Sequence, residues 1–120
     1  MKSRDLAGLV FEGGFTERDA FEVPLRGYRG HVWAQLTDGS RRPLNYYDVT
    51  RLSQELEDNR RQGRPFFAEP NLIILPEVTL ENMETAAKVL AKEGYFDEVR
   101  STSAEEGRRT ARTAPRSTQA

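Results

Sequence analysis

The chain predicts an α+β fold: an antiparallel sheet of four to five strands with two helices on one face, in the order β-β-β-β-α-β-α, and a disordered C-terminal tail. Three observations lead there. Apolar and polar residues alternate at period two in the first half of the chain. Two later segments carry apolar residues at helical spacing between a capping residue and a glycine. Beyond residue 99 the aliphatic content collapses to Ala104, Ala111, Ala114 and Ala120.

Residues 6–12 and 19–26 have strand-like composition, the second placing Phe21, Val23 and Leu25 against Glu22, Pro24 and Arg26. Residues 13–18 between them are expected to form a loop. Pro24 has no amide hydrogen to give a ladder, which assigns its strand to a sheet edge or a bulge. Residues 30–36 and 41–47 form a clearer hairpin around Asp38-Gly39. A two-residue loop would put Leu44 and Tyr46 on the opposite face from Val32, Ala34 and Leu36. A three-residue loop gathers all five on one side, and the sequence therefore predicts an odd-length loop. His31, Trp33, Gln35, Pro43, Asn45 and Tyr47 then share the other face, joined by Glu22 and Arg26 from the preceding strand.

Asp48 is placed to cap the first helix, with Tyr47 and Leu52 at staple positions and Val49, Leu52 and Leu56 as its narrow apolar stripe. Gly63 ends it before Arg64-Pro65. The run Leu72-Ile73-Ile74-Leu75, confined by Pro70 and Pro76, is too short for a helix and predicts a buried strand. Thr79 caps the second helix, whose core residues Met83, Ala86, Ala87 and Leu90 fall at helical spacing before Gly94. Tyr95 and Phe96 are expected to fold back on the core.

At 120 residues and 37% hydrophobic content the chain suits one domain, residues 1–99, with residues 100–120 as a basic tail. The charge is uneven. Residues 1–99 carry thirteen basic and seventeen acidic side chains, against five and two in the tail. No apolar run suits a bilayer or a signal peptide, so no membrane partner and a cytoplasmic location are expected. The absence of cysteine removes disulfides and thiolate zinc sites, and His31 is the single histidine. Neither a metal, a cofactor nor a catalytic set is expected. Asp38 is explained by its turn and Asp48 by its cap, while Glu69 and Glu77, each beside a proline, have no local role. No phosphate-cradling loop is expected, because Gly13-Gly14 is followed by no Lys-Ser/Thr pair and then by a strand-like segment.

The surviving candidate is a partner-binding face of Trp33, His31, Asn45, Tyr47 and Arg26, since an indole and a phenol with polar companions resemble a binding surface more than a plain solvated face. The expected function is a small non-enzymatic protein-interaction module of the adaptor, inhibitor or immunity type, acting as a monomer or homodimer on an unknown protein. One alternative is a nucleic-acid accessory protein using Arg41, Arg42 and the tail residues Arg108 and Arg109. Another is a small-molecule-binding domain with a pocket between the sheet and the strand after Phe67.

Overall fold

A computed structural model of the chain describes residues 5–97. The elements are β1 (Leu6–Phe11), α1 (Glu17–Arg26), β2 (Tyr28–Leu36), β3 (Arg41–Tyr47), α2 (Val49–Arg61), β4 (Leu72–Ile74) and α3 (Leu80–Lys92), followed by a 3-10 turn at Tyr95–Asp97. They form one four-stranded sheet in the order β1-β2-β3-β4. β1, β2 and β3 are antiparallel, whereas β4 runs parallel to β3. The sheet is therefore mixed and not purely antiparallel, and the order is β-α-β-β-α-β-α. The expected tail, residues 100–120, lies outside the described residues.

The main correction concerns residues 19–26, which form most of a helix. The Thr16 side chain accepts from the Asp19 amide at 3.1 Å while the Asp19 carboxylate accepts from the Thr16 amide at 2.9 Å, a reciprocal cap that starts α1. Arg18, Glu22 and Arg26 then link successive turns by ion pairs four residues apart. Gly27, at φ 71°, stops the helix with its amide on the Val23 carbonyl. Pro24 falls within this helix, where it forgoes one intrahelical bond near the last turn. The consequence for packing is direct. A strand would put Phe21, Val23 and Leu25 on one side, but the helix buries Val23 and turns Phe21 and Leu25 outward at 72% and 74% exposure.

The hairpin follows the odd-loop expectation. Val32 pairs with Leu44 and Ala34 with Arg42, and Leu36 closes against Ser40 across Thr37, Asp38 and Gly39, with Gly39 at φ 91°. Val32, Ala34, Leu36, Leu44 and Tyr46 are all buried. Below Val32 the ladder shifts by one at Gly30 and His31, where His31 adopts φ 56°. This bulge brings Tyr28 opposite Tyr47.

The core joins that sheet face to Val23 of α1, Met83 and Ala91 of α3, and Leu75, Val78 and Phe96. Tyr46 donates its hydroxyl to the Met83 carbonyl at 2.9 Å, and burial pushes its pKa well above the ordinary phenol value. α2 contributes no buried residue. Its Arg51 guanidinium lies 5.2 Å from the centre of the Tyr28 ring, on the sheet face away from the core. The expectation of two helices sharing one face is thus corrected: α1 and α3 cover the core face, and α2 begins on the other.

Candidate functional site

The face opposite the core has two unlike ends. At one end Tyr28, Tyr47 and Phe67 form a chain of ring contacts, with centroids 4.7 and 5.4 Å apart. Tyr47 is 2% exposed and donates its hydroxyl to Glu69 at 2.9 Å. Burial raises the Glu69 pKa above the ordinary carboxylate value, with the Tyr47 hydrogen bond opposing and Glu55 reinforcing the shift. Burial and the Glu69 carboxylate together push the Tyr47 phenol strongly upward. Arg51, paired with Glu55 at 2.9 Å, closes this end and also donates to the Arg26 carbonyl.

Two glycines permit this packing. A Cβ on Gly27 would stand 2.6 Å from the Asp48 carboxylate, which caps α2 by accepting from the Arg51 amide at 2.7 Å. A Cβ on Gly30 would overlap the Tyr28 hydroxyl and reach 3.0 Å from Asn45 Oδ1. The end of α1, the start of α2 and the bulged start of β2 are therefore locked to one another.

At the other end β1, β2 and β3 align Val10, Trp33 and Pro43 in one row. Trp33 remains partly exposed there. Gln35 and Arg41 form the next row and are joined by a 2.8 Å hydrogen bond. α2 and residues 66–71 meet this face at Tyr28, Asn45, Tyr47 and the Pro43 carbonyl.

Of the residues expected to form one partner-binding face, some share the sheet face and some do not. Tyr47 is sealed under Phe67 and Glu69. Asn45 spends its side-chain amide on the Pro70 carbonyl at 2.9 Å. His31 is exposed on the bulge, 3.2 Å from Glu12. Arg26 sits on α1, paired with Glu22, and not on the sheet. Trp33, Asn45 and Tyr47 keep the expected sheet face, with Tyr47 sealed, Asn45 engaged and Trp33 partly exposed. Of the arginines assigned to nucleic acid, Arg42 is 4% exposed and donates to the Phe96 carbonyl at 3.0 Å, which corrects its assignment to the surface. Arg41 is exposed and bound to Gln35; Arg108 and Arg109 lie outside the described residues.

Sequence reasoning missed the outward side of α1. Phe21 and Leu25 stand one helical turn apart, and the Asp48 amide on the Gly27 carbonyl places the 62% exposed Val49 just beyond the end of the same helix. The signal was Thr16-x-x-Asp19 ahead of the apolar residues, a capping box with Asp in the usual Glu position. Among the described residues, no group of three or more His, Asp or Glu is arranged to hold a metal, and no helix is long and apolar enough to cross a membrane.

No family model matches the chain, and neither a curated protein nor a solved structure shows detectable similarity to it.

Proposed function

We propose that the protein is a non-enzymatic protein-interaction module. One observation carries the reading: Phe21 and Leu25 stand three-quarters exposed on a helix that is fastened at both ends, by the Thr16 and Asp19 cap and by the Gly27 and Asp48 junction. Such a stripe offers apolar anchors at little ordering cost, the arrangement by which a helix fills a partner's groove. The Trp33 row is a second recognition surface, on the other side of the sheet.

The test is quantitative recovery of bound proteins by the full chain and by two variants, Phe21→Ala/Leu25→Ala and Trp33→Ala, each checked for native circular dichroism. A partner lost with the helix variant and kept with Trp33→Ala assigns recognition to α1. Loss only with Trp33→Ala moves it to the sheet, and equal recovery by all three chains refutes both surfaces.

A further inference from the structure

We propose that the groove between α3 and the start of β1 binds a small organic anion with an aliphatic tail, a medium-chain carboxylate. The groove shares no residue with the α1 stripe or the Trp33 row, and the proposal does not rest on either.

The hollow has a volume of about 440 Å3, within the range of small-molecule sites, and Leu6, Val89 and the buried Ala91 give it an apolar lining. Val89 is 46% exposed there. Thr85, Val89 and Lys92 recur at helical spacing, so the groove follows α3 for about two turns, roughly 10 Å. A medium aliphatic chain laid along it would exchange its own hydration and that of Val89 for mutual contact.

Charge selects the head group. Among the described residues every arginine has a partner. Those on α1 and α2 meet acids three or four residues away, Arg18 and Arg26 on Glu22 and Arg51 on Glu55 among them. Lys88 and Lys92, which both line the groove, have no partner among the described residues. Glu84 precedes Lys88 by four residues, the favourable order for an intrahelical pair, and still no ion pair joins them. The two ammonium groups therefore stand one turn apart with their repulsion uncompensated, and an anion between them relieves it. A second groove, on α2, lacks this property, since Glu57, Asp58 and Arg61 line it and pair with one another. Asp5 is the carboxylate that lines the α3 groove. It is held on the β1 side, its amide donating to Thr37 Oγ1 at 3.2 Å and its carbonyl accepting from the Thr37 amide at 2.8 Å. The ligand's head group is accordingly assigned to the lysines on α3, and its tail to Val89 and Leu6.

The experiment titrates the isotope-labelled full chain with sodium octanoate and follows the backbone amides by NMR. Saturable shifts are expected at Leu6, Thr85, Val89 and Lys92. Affinity should rise about twofold per methylene from butanoate to decanoate. It should fall about tenfold for octanol, which keeps the tail and loses the charge, and about tenfold for Lys88→Gln/Lys92→Gln, while Asp5→Asn should strengthen binding about twofold. Absence of shifts at millimolar octanoate overturns the proposal. So does acetate binding as tightly as octanoate, which marks a contact of charge alone, or a lysine variant that binds like the parent, or shifts centred on Phe21 or Trp33. Phe21→Ala/Leu25→Ala and Trp33→Ala should bind octanoate as the parent does, which separates failure of this site from failure of the recognition surfaces.

Discussion

The Tyr47 end and the Trp33 end belong to the same sheet face, yet one is packed like an interior and the other is left at the surface. The difference does not lie in the strands, since both aromatic residues occupy positions facing away from the core. It lies in the segments that leave and rejoin the sheet after β3. α2 starts within two residues of Tyr47, and the chain returning to β4 lays Phe67 and Glu69 on that ring. Trp33 lies opposite Pro43, which is four residues up β3 from Tyr47, and stays partly exposed. A sheet face becomes core or surface according to where the connections cross it.

This contrast is open to experiment. Tyr47→Ala removes a ring enclosed by Tyr28 and Phe67, and should cost roughly 4 kcal/mol in urea unfolding. Gly27→Ala should cost about 3 kcal/mol, from a left-handed alanine together with the disturbed Asp48 cap. Gly30→Ala should cost about 2 kcal/mol through its overlap with the Tyr28 hydroxyl. Tyr28→Phe, which deletes that hydroxyl, should recover much of the loss in the double variant; a strictly additive pair would show the close approach to be irrelevant.

Glu69 provides a pH test of the sealed end. Its pKa in the folded chain is raised above the ordinary carboxylate value, so the folded state holds the proton more tightly than the unfolded one. The stability this contributes is complete below the ordinary value and is lost as pH rises through the elevated folded value. Glu69→Gln keeps an acceptor for the Tyr47 hydroxyl and removes the titration. Relative to the parent, the variant should therefore gain stability as pH rises from the ordinary carboxylate range toward neutrality, and a constant difference would contradict burial as the dominant cause. The smallest expected effect is at the open end, where Trp33→Ala should cost about 1 kcal/mol. Because Trp33 is the single tryptophan, its fluorescence should be quenched readily by acrylamide in the parent chain and shielded when a partner occupies that face.

Some of this organisation was legible in the residues. Parity around Asp38-Gly39 decides the hairpin loop, because an even length divides Val32, Ala34 and Leu36 from Leu44 and Tyr46. Arg42 shares the parity of Leu44 and Tyr46 but was assigned to the surface, because only the fold brings the Phe96 carbonyl, 54 residues away, to receive its guanidinium. α1 was illegible to periodicity alone, since Phe21, Val23 and Leu25 alternate like a strand; the reciprocal Thr16 and Asp19 cap and the ion pairs at Glu22 decide for the helix. On the candidate face the positions of Trp33, Asn45 and Tyr47 were legible, but which of them would be covered was not. The bulge at His31 and the covering of Tyr47 depend on contacts between distant segments.

By itself, the sequence determined the local units: caps at Asp48 and Thr79, the hairpin with its buried side, and the short strand between two prolines, all governed by interactions within a few residues. The tertiary structure alone decided which side of the sheet each helix occupies, that β4 runs parallel to β3, and which aromatic rings are enclosed. These depend on burying apolar surface among segments far apart in the chain, and no local pattern encodes which segments will meet.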